Sequence, residues 1–340
     1  MSDAVNSAFS SAASYAAFVY KPDGQPIAQS SSPEIIAAVL ELLEVPLGAR
    51  VLEVGTGSGY STALLAQLTG SSGFVVSLDV DPELVKRAAQ LLSQQDIDHV
   101  KVVSADGRAG YPFAAPFDRI VVWATGDVLT QAWVEQVRPG GLIVAPIRLL
   151  PLAATTAVVR VRVDLNGAIV GERIIKGAFV RLSSTPLYQW CGPVEEADIA
   201  VVIDNEPLVY ASAEWLRSGA NTEDRELAKH LLQTAVPQPS PLAPDEDAEA
   251  LRAYLLATYP EGFTTGFTQA LGHAIGCSCL GSLALLFQGG QSYVEAGEQI
   301  AAATFKSWIG NWRAVGRPGF EQLHPVVERE SQGWRVSATL

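Results

Sequence analysis

The sequence predicts a doubly wound α/β domain followed by an α+β extension, and three observations carry that expectation. Apolar runs of five to seven residues alternate with helix-period stretches between residues 33 and 146. The first of those runs closes in a glycine-rich loop, Gly55-Thr56-Gly57-Ser58-Gly59. Past residue 182 the alternation stops and the charge changes. Residues 1–182 hold 14 Lys+Arg against 17 Asp+Glu, and residues 183–340 hold 9 against 19. We therefore expect two domains, 1–182 and 183–340.

The elements follow in order. After a small-residue N-terminus, residues 33–44 carry apolar side chains at 35, 36, 39, 40 and 43, a helical stripe. Pro33 suits the first helical position, with Ser32 as its cap. Residues 50–54 read as a buried strand, 61–68 as a helix and 74–79 as a second strand. Asp81-Pro82-Glu83 starts a helix that should run to about Gln94. Further apolar runs lie at 100–104, 118–124 and 142–146, with a helix near 129–137. Asn166-Gly167 between two β-rich segments, 157–165 and 168–181, signals a hairpin.

Beyond residue 183 we expect a hairpin in DIAVVIDNEPLVYA and a helix near 222–235. An exposed, proline-rich acidic linker, PQPSPLAPDEDAE, should follow, then a helix over 248–257. A strand over 279–287, an amphipathic helix over 295–312 and a closing hairpin in VVERESQGWRVS complete the chain. Trp308 and Trp312, four apart, belong to the core.

Composition excludes several classes. Of 340 residues 48% are apolar, enough for sizeable cores. The net charge of −13 disfavours nucleic acid as a partner. No apolar run approaches a membrane span, and MSDAVNSAFSSAAS lacks the basic region of a signal peptide, so a cytoplasmic location is expected. Cys191, Cys277 and Cys279 do not form a disulfide framework. The pair at 277 and 279 lacks metal-ligand partners and reads as buried thiols. His99, His230, His273 and His324 are scattered, so no metal site is expected.

The glycine loop is the one motif that carries chemistry. A dinucleotide fingerprint needs its third glycine one residue later, where Tyr60 stands, and a P-loop needs a lysine that is missing. Gly55, Gly57 and Gly59 after a strand bearing Glu53 fit S-adenosylmethionine instead, with Thr56 and Ser58 in the same loop. The cofactor's carboxylate would sit near the N–H groups of the following helix, and Glu53 would orient its ammonium. Asp79 ends the next strand, where it would accept the ribose hydroxyls. Asp106, followed by Gly107, would receive the adenine amino group.

At this point the residues resemble a family. VLEVGTGSGYSTALLA, SADGRAGYPFAAPFDRIVVWA and VRPGGLIVAPI resemble the protein-L-isoaspartate O-methyltransferases, and AIVGERIIKGAFVRL resembles that family's closing strand. The resemblance covers roughly residues 25–182. It implies a Rossmann-like class I methyltransferase, S-adenosylmethionine as cofactor, and a peptide or protein substrate carrying Asp or isoaspartate. PIAQSSSPEII is similar to the family's substrate loop, Thr-Ile-Ser-x-Pro. Alignment on Pro33 places Ser31 at the active-site serine, and the resemblance puts Ser30, Ser32 and Val180 beside the peptide. Gln29 and Ser30 stand where the family has Thr and Ile, YKPDGQP is short, and Trp123 replaces a smaller residue.

With its C-terminal addition the chain resembles extended members found in ribosomal-peptide gene clusters (lanthipeptide, graspetide, lasso peptide), which methylate an aspartate that closes to an aspartimide. The expectation is therefore a carboxyl O-methyltransferase that tailors a precursor peptide. The alternatives are an L-isoaspartate repair enzyme and, in another class, a non-catalytic cofactor-binding adaptor.

Overall fold

The computed structural model describes residues 1–12, 15–186, 197–203 and 206–340. The chain divides into two compact units. The first comprises Met1–Ile147, Thr156–Cys191 and Pro325–Val336; the second comprises Arg148–Thr155, Gly192–His324 and Ser337–Leu340. A single cut after residue 182 does not reproduce this division, because the closing hairpin goes with the first unit.

The first unit opens with α1 (Asp3–Ser11), capped by Ser2, and α2 (Tyr15–Val19). Sequence reading left this segment without helices. Their signal was slight: a capping serine, and Val5 and Ala8 three apart, both buried. α3 (Pro33–Leu43) starts behind the Ser32 cap as expected. The sheet then builds from β1 (Arg50–Val54), α4 (Tyr60–Thr69), β2 (Phe74–Asp79), α5 (Pro82–Ser93), β3 (Val100–Ser104) and β4 (Phe117–Val122). The two-residue β5 (Leu129–Thr130), α6 (Gln131–Gln136), β6 (Val137–Arg148), β7 (Thr156–Val163) and β8 (Ile169–Lys176) follow.

Among the described residues, seven strands form this sheet in the order β3-β2-β1-β4-β6-β7-β8. β3, β2, β1, β4 and β6 pair in parallel, while β7 and β8 form the antiparallel hairpin that Asn166-Gly167 announced. The chain runs outward from β1 to β3 on one side, then returns to place β4 on the other. In an open parallel sheet a ligand binds at the carboxyl ends of the strands at this reversal. Val51, Leu52 and Val54 are buried, so β1 is fixed from both faces.

The second unit holds β9 (Ile199–Ile203), β10 (Glu206–Ala213), α7 (Glu214–Ser218), α8 (Thr222–Thr234), β11 (Val236–Gln238) and α9 (Ala248–Thr258). β12 (Phe263–Thr268), β13 (Gly272–Cys279), β14 (Ser282–Phe287), β15 (Tyr293–Gly297) and α10 (Ile300–Ala314) complete it. Its described strands order as β11-β15-β14-β13-β12-β10-β9. β9 and β10 pair as the expected hairpin; its residues 204 and 205, and Cys191, lie outside the described residues. The closing hairpin, β16 (His324–Glu330) and β17 (Gly333–Thr339), pairs with β5.

Three expectations for this half are corrected. The proline-rich stretch is exposed over residues 237–239, as expected, but it is not a free tether. Val236–Gln238 pairs with β15, Leu242 is buried, and Glu246 is held by Arg313 and Arg317. The strand expected over 279–287 is two strands, β13 and β14, turning at Leu280-Gly281. The helix expected from residue 295 begins at Ile300, because Tyr293–Gly297 pairs with β14. Trp308 and Trp312 are buried, as expected.

Candidate functional site

The glycine loop leaves β1 at the carboxyl edge of the sheet. Gly55, Gly57 and Gly59 have φ of +97°, +51° and +86°, the left-handed region that favours glycine. Gly57 is constrained from outside as well: a Cβ there would lie 2.3 Å from the carbonyl oxygen of Gln29. The loop therefore touches the backbone of the segment that precedes α3, and both line a cavity of about 290 Å³. Its walls include Gln29 to Ser32, Ile35, the loop residues 55–58, Leu78 to Asp81, Ala105, Gly107, Trp123 and Ala178 to Ser183.

Most loop amides are occupied within the protein. Gly55 and Thr56 donate to Leu78 O at 2.8 and 3.1 Å, and Gly59 donates to Thr56 O at 2.8 Å. Gly57 donates to Asp79 Oδ2 at 2.9 Å. Thr56 Oγ1 and Ser77 Oγ are 2.6 Å apart, pinning the loop to β2.

Asp79 lies where a strand-end acid was expected. Oδ2 accepts from Gly57 and Oδ1 from the Asp81 amide at 3.0 Å, and the carboxylate lines the cavity. Burial raises its pKa above the ordinary carboxylate value, against the lowering effect of the Asp81, Gly57 and Val80 amides.

Two expected ligands are not brought to the cavity. Glu53 is wholly buried and turned under α4. Ser61 Oγ (2.6 Å) and Trp123 Nε1 (2.9 Å) donate to its Oε1, and Thr62 Oγ1 (2.5 Å) and Ser77 Oγ (2.7 Å) donate to its Oε2. Four donors fill both oxygens, so nothing remains for an ammonium. Burial raises its pKa despite them. Asp106 is likewise turned away. Its carboxylate receives Arg108 Nε (3.0 Å) and Nη2 (2.6 Å) and caps a short 3-10 turn. That guanidinium holds its pKa low, and the cavity is lined by its neighbours Ala105 and Gly107 instead. Gly107 is needed for close packing, since a Cβ would meet Val54 Cγ1 at 2.2 Å.

The three serines separate by role in the fold. Ser32 caps α3, accepting from Ile35 N at 3.5 Å. Ser31 lines the cavity, with its carbonyl held by Tyr15 Oη at 3.0 Å. Ser30 Oγ is buried in the cavity wall with no hydrogen-bond partner. Val180 also reaches the wall: Thr125 N bonds to its carbonyl at 2.7 Å.

Sequence reading singled out Trp123 but not its aromatic partner Phe179. Trp123 is buried against Phe179, with ring centroids 6.0 Å apart, and its indole N–H is the fourth donor to Glu53. The available signal was the bulky residue itself, directly after β4. Cys277 is a buried thiol whose pKa burial pushes up to about 12. No helix among the described residues is long and apolar enough to cross a membrane.

Comparison with known proteins bears on this site. A profile described as Protein-L-isoaspartate(D-aspartate) O-methyltransferase matches residues 3–186. A protein-L-isoaspartate O-methyltransferase of Methanococcus maripaludis is 36% identical over 167 residues, which span 49% of this chain and 76% of that one. A protein of the same name from Ignicoccus hospitalis is 40% identical over 121 residues, 36% of this chain and 57% of its own length. A solved structure bearing the name protein-L-isoaspartate O-methyltransferase aligns with 100% of this chain and 96% of its own, at 19% identity and a TM-score of 0.51. That likeness is one of fold, and it extends through the C-terminal half.

Proposed function

The chain belongs to the protein-L-isoaspartate O-methyltransferase family, and from that premise we propose that it is an S-adenosylmethionine-dependent carboxyl O-methyltransferase acting on L-isoaspartyl residues of peptides and proteins. One observation carries the reading: a single cavity at the sheet reversal joins a strand-end carboxylate, Asp79, to the serine segment before α3.

The residues present fit the cofactor. Asp79 is a carboxylate on the cavity wall held by backbone amides alone, which suits the hydroxyls of a ribose. Leu78, Val80, Leu84, Ala105 and Gly107 offer an apolar slot for a flat base. Glu53 and Asp106 take no direct part in this assignment. Glu53 serves by holding β1, α4, β2 and Trp123 together. When bound, S-adenosylmethionine supplies a methyl group already activated by its sulfonium.

What remains for the protein is placement. The substrate carboxyl, with an ordinary pKa near 4, is ionised at neutral pH and needs no base. The hydroxyl of Ser31 or of its neighbour Ser30 donates a hydrogen bond to that carboxylate and fixes its direction. Ser30 Oγ has no partner inside the protein, so a substrate oxygen relieves an unsatisfied buried group. Trp123, Phe179 and Ile35 exclude water from the acceptor end, which frees the nucleophile from its hydration shell. The methyl ester is a better electrophile than the acid. The next backbone nitrogen attacks it, expels methanol and closes a succinimide, which water reopens.

The finer reading, tailoring of a ribosomal precursor peptide, rests on resemblance alone, with Gln29, Ser30 and Trp123 departing from the pattern of repair enzymes. Mass spectrometry separates the two. The protein and S-adenosylmethionine are incubated with an isoaspartyl peptide, its aspartyl twin and an Asp-Gly macrocycle. The repair reading expects a methyl gain on the isoaspartyl peptide alone. Methylation followed by water loss on the macrocycle, with the isoaspartyl peptide untouched, would replace it with tailoring.

A further inference from the structure

Two walls of the cavity, Ser58 of the glycine loop and Ser31 of the serine segment, are also joined through α2. Arg87 on α5 makes one connection. Its Nη1 donates to Ser58 O at 3.2 Å, and its Nη2 donates to Ala17 O at 3.3 Å and to Tyr20 O at 3.0 Å. The last carbonyls of a helix lack partners within it, so one guanidinium ties the end of α2 to the loop. Tyr15 makes the other connection: its hydroxyl donates to Ser31 O at 3.0 Å. Its ring meets Tyr60 edge-on, with centroids 5.1 Å apart and 85° between the planes. Tyr60 is the residue after Gly59, and the buried Phe18 stands on the same ring at 5.7 Å. Past α2 the chain turns back, and Ile27 N donates to Val19 O at 2.7 Å shortly before the serines. A helix of five residues does not persist alone, so these contacts fix where α2 sits.

Building on the function proposed above, we infer that Tyr15 and Arg87 are positioning residues for methyl transfer: acting through α2, they set the spacing between the serine segment that aims the acceptor carboxylate and the glycine loop that holds the cofactor. Neither lines the cavity, so each acts through other residues. The reaction is sensitive to this spacing. Acceptor oxygen, methyl carbon and sulfur must lie nearly in line at about 3 Å, and a misplacement of about 1 Å costs about a hundredfold in rate. The close approach of Gly57 to Gln29 O limits how near the loop and the segment can come. A steric stop of that kind does not keep them from parting. Directional hydrogen bonds at the two ends of α2 supply the missing restraint. Among the described residues Tyr15 and Arg87 share no hydrogen-bond partner, so what they have in common is α2 itself.

A mutant cycle of Tyr15→Phe, Arg87→Met and the double variant tests this on an isoaspartyl peptide. Each single change should lower kcat about tenfold and leave the peptide KM and the Kd for S-adenosylhomocysteine within about threefold of wild type. The double variant should be little slower than the slower single one, because a brace released at one end no longer restrains the other. Two residues that only add stability would not show this coupling. An unchanged kcat in either single variant, a loss carried by KM or by cofactor affinity, or losses that multiply to about a hundredfold in the double variant overturns the inference. Hydrogen exchange with S-adenosylhomocysteine bound reads the same restraint without turnover. Amides between Ile27 and Ile36 should exchange about tenfold faster in either variant, while those of β1 and β2 keep their wild-type rates. Equal exchange between Ile27 and Ile36 in wild type and variants also overturns it. A wild type that methylates no isoaspartyl peptide removes the proposed function instead, and the exchange rates still decide whether α2 holds the serine segment.

Discussion

Asp79 and Glu53 show what a strand-end acid does when its surroundings differ. Both were legible as acids at the ends of neighbouring parallel strands. The direction each carboxylate faces was not legible, because the groups that capture Glu53 come from α4, β2 and the end of β4, far apart in sequence. Asp79 meets backbone amides only, those of Gly57, Val80 and Asp81, and lines the cavity. Asp79→Asn should weaken S-adenosylhomocysteine binding by roughly 10- to 100-fold, the loss of charge-assisted hydrogen bonds, as read by calorimetry. The raised pKa of Asp79 sets the sign of a pH effect. Acidification through that value protonates the carboxyl and weakens it as an acceptor, so wild-type affinity should fall with falling pH more steeply than that of Asp79→Asn. Glu53 behaves otherwise. Glu53→Ala strands four donors and should cost about 3 kcal/mol of stability in a denaturant titration. Its folded pKa is raised, so its contribution is full below the unfolded value and is lost as pH rises through the folded one. Glu53→Gln lacks that loss, so its stability relative to wild type should improve as pH rises across this window. A constant difference would show that Glu53 stays ionised in the fold.

At the scale of elements, periodicity found what local pattern dictates. β1, β2 and β3 have the expected bounds, as do the caps of α3 and α5, because the run ends and the Ser-Pro and Asp-Pro signals are contained in a few residues. The second unit was harder to read. Val236–Gln238 is proline-containing and fully exposed, yet β15 recruits it as an edge strand. Glu246, in the same supposed linker, is held to a pKa of about 2 by Arg313 and Arg317 on and after α10. A depressed carboxylate stabilises above its unfolded pKa, and that contribution fades as pH falls toward about 2. Such long-range pairing leaves no local mark in sequence. The glycine loop is the converse case, since its requirement is both local and tertiary. Gly57→Ala places a methyl against Gln29 O, where only backbone can yield. It should lower cofactor affinity and activity together by more than about tenfold, through displacement of the segment carrying Ser30 and Ser31. Gly24→Ala, also at positive φ but with open space around it, should leave cofactor affinity intact.

For the whole molecule, the informative fact is that the first unit is not continuous in the chain. Pro325–Val336 belongs to it, although the sequence placed the whole segment after residue 182 in a separate domain. The reason is a set of close backbone contacts. Gly333 pairs with Thr130 and Trp334 with Leu129, a Cβ on Gly333 would lie 2.1 Å from Leu129 O, and one on Gly171 would lie 2.2 Å from Pro325 O. Arg329 stacks over Trp334 at 4.2 Å, a cation–π contact within the hairpin. Charge asymmetry and the end of the βα alternation correctly signalled that a second unit exists. They could not signal that the chain comes back. A chain cut after residue 186 retains every residue of the candidate cavity but loses this hairpin, and Leu129, now fully buried, loses its paired neighbour. It should melt lower than the full chain by roughly 5 °C or more, followed by circular dichroism, with S-adenosylhomocysteine recovering part of the difference if the cavity still forms. A cut chain that melts with the full protein would mean the hairpin adds nothing to the first unit and that residues 1–186 are a domain by themselves.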